Sequence, residues 1–322
     1  MKRKSAILIG IALIAVLAIG CTKSDSQSAG PSGGKRIFMS SAWYTAPYGA
    51  PMQEAVQSTA ARMGYGIQIV DGEGNADRQL SQFRAAHADG YDGFIFWPGD
   101  QASMPPLVDF LNSTGKPWVV VNTSGDDTIK DMVPCTIASD EVEIGRWLGR
   151  LTLEYFEKNP SLEKNIGYIE GSPGHSYTEN LTIGLNEIIQ GKGITILNER
   201  MFSEYDPGRA MTIAEDILTR FGGRVTLFLN QDGGLFQGAY AAVESAGFLD
   251  RIGFICQGQD LIVKEKLLTG ELFGSVAQDP FEEGRLSVEM LDKLIRGEPV
   301  ERWVVTPTGP IYASDVDNYS WF

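Results

Sequence analysis

The chain has 322 residues and carries 27 basic against 41 acidic ones, for a formal charge of -14, which disfavours nucleic-acid recognition through a basic surface. It is long enough to build two cores of ordinary size, and no stretch is polar enough for a long disordered domain. Three cysteines without a spaced framework specify no disulfide pattern.

Taken in order, Lys2, Arg3 and Lys4 precede an apolar run from Ala6 to Ile19 that ends at Gly20-Cys21. This is a signal segment (1–20) with a lipoprotein-like cleavage site, although Ala18 stands where such sites prefer Leu. Cys21 then becomes the lipid-bearing first residue, and 21–35, rich in Ser, Gly, Gln and Pro, is the anchor and flexible tether. The expected location is extracytoplasmic, in the periplasm or on the outer face of the cytoplasmic membrane, held by lipid rather than by a spanning helix. Without the three leading cations, 24 basic and 41 acidic residues leave -17. Cys135 and Cys256 remain, and the default for them is a reduced, buried pair.

From Arg36 onward, short unbroken apolar strands alternate with helices. Strands are expected at 36–41, 66–70, 94–97 and 118–121, with helices to about 63, over 77–88 and around 106–111. Such strands suit a parallel sheet covered on both faces. At Cys135 to Gly145 a short strand runs into Ser139 or Asp140 as an N-cap, with Glu143 three residues after Asp140. The helix that follows has Ile144, Trp147, Leu148, Leu151 and Tyr155 at helical spacing. Here the chain either leaves one lobe for another, which gives two lobes with a cleft between them, or continues one large α/β domain through an ordinary capped helix. A second run repeats the pattern, with strands at 164–170, 194–199, 225–230, 252–256 and 273–277. Its helices cover 177–189, 208–221, about 234–245 and 261–268, and a last one, 281–296, is stopped by Gly297-Glu298-Pro299. Segments 303–306 and 311–313 provide one final strand for each lobe.

Ligands of open α/β sheets gather at the carboxyl ends of strands. Those ends carry Trp43, Tyr44, Tyr48, Trp97, Asn122, the 171–179 loop with His175 and Glu179, Tyr205, Gln231, Asp232, Gln257 and Gln278. Flat rings cover the C–H faces of a polyhydroxylated ligand, while amides and carboxylates match its hydroxyls. Other chemistries find little support. The acidic loop Asp71 to Asp77 lacks a complete calcium-ligand pattern and reads as a turn with Asp77 capping the next helix. Neither a dinucleotide fingerprint nor a phosphate loop is present. His175 has no serine elbow or metal cluster near it in sequence, so no catalytic residue, metal or cofactor is expected.

Several of these segments together resemble the bacterial periplasmic sugar-binding proteins of the ribose and galactose type, which share a fold with the ligand-binding part of the lactose-repressor family. They are T-I-A-S-D at 136–140, Y-I-E-G at 168–171 with Gly184-Leu185, E-Y-D at 204–206, L-N-Q-D at 229–232, S-V-A-Q-D-P at 275–280 and K-L-I-R-G-E at 293–298. The resemblance covers Arg36 to about Tyr319. It implies an α/β fold of two similar Rossmann-like lobes with parallel-sheet cores, joined by three hinge crossings at about Ser139-Asp140, Gln278-Asp279 and Thr306-Pro307, with the ligand in the interlobe cleft. The lobes would be 36–139 with 279–306, and 140–278 with 307–322.

The resemblance also implies a non-enzymatic, monomeric sugar receptor that closes on its ligand and delivers it to an ABC permease. Alternatives are a sensing subunit for a chemoreceptor or sensor kinase, and more weakly a sugar-processing enzyme. Carried over by position, the stacking aromatic falls on Tyr48, with Trp43 or Tyr44 beside it. The acidic hydroxyl ligand falls on Asn122, the arginine near Glu179 with His175 and Asn180 as alternatives, and the second aromatic on Tyr205. The asparagine falls on Gln231 beside Asp232, the next aspartate near Gln257 and the hinge glutamine on Gln278. Because the Asp and Arg clamps are replaced, the expected ligand is a neutral, uncommon monosaccharide, sugar alcohol or small furanose-like molecule, with Glu179 as a counter-charge should the ligand be cationic.

Overall fold

A computed structural model describes residues 34–123 and 128–322. The expected signal segment, Cys21 and all but the end of the tether lie outside the described residues. Among the described residues no helix is long and apolar enough to cross a membrane.

The first run of the chain gives β1 (Arg36–Ser41), α1 (Gly49–Arg62), β2 (Gly66–Asp71), α2 (Ala76–Ala88), β3 (Gly93–Trp97), α3 (Pro105–Ser113), β4 (Trp118–Val121) and β5 (Thr136–Ser139). The second gives α4 (Glu141–Lys158), β6 (Asn165–Ile169), α5 (Ser176–Ile189), β7 (Thr195–Ile196), α6 (Pro207–Phe221), β8 (Leu227–Asn230), α7 (Gly233–Ser245), β9 (Gly253–Gln257), α8 (Leu261–Thr269) and β10 (Gly274–Val276). The chain then returns through α9 (Pro280–Ile295) and β11 (Trp303–Thr306) and ends beyond β12 (Pro310–Ile311).

Two six-stranded sheets result, in the orders β11-β5-β4-β3-β1-β2 and β12-β10-β9-β8-β6-β7. Every pairing is parallel except β10 with β12, which is antiparallel. Strands of a parallel sheet are buried on both faces, which explains the all-buried sequences of β3, β4 and β5. In the first lobe one face packs Met52, Val56 and Leu291 of α1 and α9, and the other packs Phe83, Leu107 and Leu111 of α2 and α3. In the second lobe the corresponding layers are Ile144, Leu148 and Leu185 of α4 and α5, and Ile217, Phe236 and Val243 of α6 and α7. Cys135 and Cys256 are both free and buried, one in each lobe.

The chain passes between the sheets three times, from β5 to α4, from β10 to α9 and from β11 to β12. At the first passage Asp140 is the N-cap, its Oδ1 accepting the Glu143 N–H at 3.0 Å. Ser139 turns instead toward Thr306, 2.8 Å away between the two Oγ atoms.

Two local expectations need correction. The six-residue strand expected at 194–199 is only Thr195–Ile196, because the Asn198 side chain takes over the ladder. Its Oδ1 accepts the Tyr168 N–H at 2.9 Å and its Nδ2 donates to the Tyr168 carbonyl at 2.8 Å. The cap of α2 is Asn75 rather than Asp77, since Asn75 Oδ1 accepts the Arg78 N–H at 2.9 Å. The acidic loop before it is a turn closed by the Glu73 N–H on Asp71 Oδ1 at 2.7 Å, with Glu73 at φ 52°.

Candidate functional site

The carboxyl ends of both sheets face one another across a cavity of about 670 Å³. From the first lobe, the loop after β1 contributes Trp43 and Tyr48, the end of β3 contributes Trp97, and the residue after β4 is Asn122. From the second lobe come His175 and Tyr177 at the start of α5, Tyr205 before α6, Asp232 before α7, Gln257 at the end of β9 and Gln278 after β10. All of these except Tyr177 are among the strand-end candidates named individually from the sequence.

The aromatic walls are assembled edge to face. Tyr48 meets the Trp97 ring at 6.1 Å and the Phe322 ring at 5.8 Å, while Trp43 and Tyr205 flank His175 at 5.8 and 5.9 Å. Gly171 makes the place of Tyr205 possible, because a Cβ there would stand 2.2 Å from the tyrosine ring. Tyr205 itself has a left-handed backbone, φ 58°, and its hydroxyl lies 2.8 Å from Thr178 Oγ1.

His175 also joins the lobes, its Nε2 donating to the Gly99 carbonyl at 2.9 Å. Burial lowers its pKa, so the ring is neutral and Nδ1 is a buried acceptor with no partner among the described residues. The Tyr48 hydroxyl is also buried and lies against the Glu283 carboxylate, and burial together with that negative charge keeps it protonated.

Behind the first-lobe wall stands a carboxylate that sequence reading passed over. Glu283, in the first turn of α9, is fully buried. Its Oε2 accepts Asn122 Nδ2 at 3.0 Å, and its Oε1 lies 3.4 Å from Gln278 Nε2, Ser139 Oγ and Thr306 Oγ1. One side chain therefore touches all three interlobe passages. Burial pushes its carboxyl up to about 7, against the hydrogen bonds from Asn122, Tyr48 and Gln278 that favour the charged form. Glu141, at the start of α4, is also raised to about 7 by burial, with the Glu283 charge adding to it.

Asn122 is tied on both sides, since its Oδ1 accepts Trp97 Nε1 at 3.2 Å, and it holds φ at 71°. Asn tolerates that backbone better than most residues. Asn122→Ala should therefore lose two hydrogen bonds and strain the turn, lowering the unfolding free energy by about 2 kcal/mol in urea melts.

Four candidates lie outside the cavity lining. Tyr44 points outward, and only its carbonyl is engaged, by Gln53 Nε2 at 2.8 Å. Glu179 is held by Arg200 at 2.8 Å, a cation from the segment between β7 and α6, and so is not a free counter-charge. Asn180 donates to Glu141 Oε2 at 2.6 Å. Gln231 is consumed inside the second lobe, where its Oε1 accepts the Gly171 N–H at 2.9 Å and its Nε2 donates to the Tyr168 hydroxyl and the Thr178 carbonyl.

Conversely, Tyr177, Asp260, Glu283 and Phe322 were not singled out. Tyr177 donates from its hydroxyl to Gln278 Oε1 at 3.2 Å, orienting that amide. Asp260 follows β9 closely enough for the strand-end rule to have found it. Nothing local marks Glu283 or Phe322. Among the described residues no cluster of His, Cys, Asp and Glu could hold a metal ion.

Comparison with known proteins agrees with this architecture. Residues 37–299 match the family described as periplasmic binding protein domain. The chain is 24% identical over 314 residues to the ribose import binding protein of Bacillus subtilis (strain 168), covering 95% of this chain and 98% of that one. Among solved structures, an ABC transporter solute-binding protein from Bacillus halodurans C-125 with bound myo-inositol has a TM-score of 0.81 at 23% identity, over 90% of this chain and 99% of that chain. One from Actinobacillus succinogenes 130z with bound D-allose has a TM-score of 0.79 at 17% identity, over 88% and 100%. The chain belongs to the periplasmic binding protein family, whose members are binding proteins of transporters and not enzymes.

Proposed function

We propose that this protein is the extracytoplasmic solute receptor of an ABC importer, tethered by lipid at Cys21, and that it takes a monosaccharide-sized polyhydroxylated molecule into the interlobe cavity. The observation that carries this reading is the cavity wall itself. Aromatic rings from both lobes surround His175 Nδ1, a buried polar atom that has no partner among the described residues. A buried polar atom left unmatched costs about 1 to 3 kcal/mol, and a ligand hydroxyl would meet that need.

Ligand specificity then divides by chemistry. Trp43, Tyr48 and Tyr205 form apolar platforms, while Asn122, Gln257 and Gln278 supply directional hydrogen bonds. The lobes, 36–139 with 279–306 and 140–278 with 307–322, close as rigid bodies about the three passages. Ligand favours the closed form through contacts made only there. The receptor acts as a monomer and hands its ligand to a membrane permease.

Native mass spectrometry of the gently purified mature protein, followed by a thermal-shift panel of pentoses, hexoses, polyols and their amino derivatives, tests the assignment. A retained small molecule that also raises the melting temperature supports it. Stabilisation by no sugar, polyol or amino derivative of either would refute it. Trp43→Ala and Tyr205→Ala should each weaken binding by about ten-fold or more, read by calorimetry, since each removes a large buried ring from the contact.

A further inference from the structure

The charge of the cavity wall narrows the ligand class, an inference that rests on the polyol-receptor reading above. The described lining residues include five carboxylates, Asp71, Glu73, Glu204, Asp232 and Asp260, and no lysine or arginine. Its single histidine, His175, is neutral. Two of the carboxylates already have cationic partners outside the wall, Glu73 with Arg78 at 3.1 Å and Glu204 with Arg209 at 2.5 Å. Asp71 Oδ1 accepts the backbone N–H of Glu73.

Asp232 and Asp260 differ from the exposed Glu73 and Glu204 in having no ion pair among the described residues, and from Asp71 in meeting each other at one place. Asp232 caps α7, its Oδ1 accepting the Leu235 N–H at 3.0 Å. Asp260 occupies the N-cap position of α8 but makes no side-chain cap bond there. Its carboxylate leans over the start of α7 instead, so that a Cβ on Gly233 would lie 1.9 Å from Asp260 Oδ2. Two acid groups therefore converge on one helix terminus. That terminus offers only about half a unit of positive charge.

We propose that the polyhydroxylated ligand carries a protonated amine, with the ammonium group beside Asp232 and Asp260 and the carbon skeleton against the aromatic walls. Buried carboxylates without a cation are costly, and an ammonium supplies the missing charge together with up to three N–H donors. The ring faces of Trp43, Tyr48 and Tyr205 add a second attraction that a neutral sugar does not feel, because the π cloud is negative toward a nearby cation.

The acid pair supports the same assignment. Burial raises both carboxyls, and the negative charge of Asp232 helps push Asp260 up to about 7. The other titratable groups around the pair, Tyr177, Tyr205 and the Cys256 thiol, are all shifted upward and stay protonated near neutrality, and Glu141, whose carboxyl burial also raises, acts on the same two tyrosines from the start of α4. An arriving ammonium restores both negative charges, so binding at pH 6.5 to 7 expels a proton from the pair.

Matched ligand pairs test this by isothermal titration calorimetry on the full mature protein: D-glucosamine against D-glucose, D-galactosamine against D-galactose, and an aminodeoxyinositol against myo-inositol. In at least one pair the amine should bind about ten-fold more tightly or better, with an observed enthalpy that depends on the ionisation enthalpy of the buffer, the mark of proton release. Asp260→Asn, checked for folding by circular dichroism, should weaken amine binding by about ten-fold and abolish the proton release.

Sugars binding as tightly as their amines in every pair would overturn the amine assignment and leave the polyol receptor standing. Binding by neither member of any pair would overturn both. Should Asp260→Asn fail to fold, the wild-type comparison within pairs still decides.

Discussion

Glu283→Gln should flatten the dependence of stability on pH. The wild-type carboxyl titrates at about 7 in the folded protein against an ordinary 4.5. Below about pH 4.5 it is protonated in both states and its contribution is fully present. As pH rises, the unfolded chain ionises first, while the folded one must later bury a charge, so stability is lost through pH 7. For a fully buried group shifted this far, the loss is on the order of 2 to 3 kcal/mol. Glutamine keeps an acceptor for Asn122 and the hinge hydroxyls but carries no charge.

Urea melts at pH 5 and pH 8 should thus show a smaller difference for the variant than for the wild type. Glu141 and Asp260, each also raised to about 7, leave a residual slope in the variant. Equal slopes in the two proteins would show that Glu283 titrates in the folded protein as it does in the unfolded chain. Glu283→Ala is the harsher change. It strips the acceptor from Asn122, Gln278 and Thr306 together, and should cost about 2 to 4 kcal/mol at pH 5, where the wild-type carboxyl is largely neutral.

The second large effect is expected at the crossing of α4 and α5. A Cβ on Gly184 would stand 1.9 Å from the Val142 carbonyl oxygen and 2.8 Å from the Arg146 nitrogen, and one on Gly145 would stand 2.2 Å from the Leu181 carbonyl oxygen. These are backbone atoms, so no side chain can rotate away and the helices themselves must separate. That would open the layer built from Ile144, Leu148, Leu181 and Leu185.

Gly184→Ala should lower stability by about 2 to 3 kcal/mol, and Gly184→Leu should leave the second lobe unfolded at 25 °C. Gly223 is the control. It has open space where its Cβ would go and no left-handed backbone, so Gly223→Ala should leave the urea midpoint nearly unchanged. A folded Gly184→Leu protein with a wild-type midpoint would contradict the packing described for this interface.

Most of the architecture could be read from the chain because it is written locally. The apolar strands, the Asp140 cap with its Glu143 partner and the helical spacing from Ile144 to Tyr155 each depend on residues within one turn or one strand. The cavity wall was partly legible for the same reason, since the strand-end rule points at Trp43, Trp97, Asn122 and Gln278 without any knowledge of the other lobe. What stayed hidden depends on partners far along the chain. Glu283 reads as an ordinary acid in the first turn of a helix, and its meaning comes from Ser139, Asn122, Gln278 and Thr306 meeting it. Glu179 looks free until Arg200 arrives, and Gln231 looks like a ligand group until Gly171, Tyr168 and Thr178 use it up. Asn198 breaks a strand that periodicity supports, because a side-chain amide can imitate a neighbouring backbone.

The two buried thiols have a practical consequence. Each lies in the core of a different lobe, so neither can react with a bulky alkylating reagent until its own lobe opens, and each therefore times one half of the molecule. Pulsed labelling followed by peptide mapping of Cys135 and Cys256 would give two opening rates from one sample. Equal rates would mean that the lobes unfold as a single cooperative unit. Different rates would identify the weaker half, and added ligand would show whether bridging the cavity makes the two clocks run together.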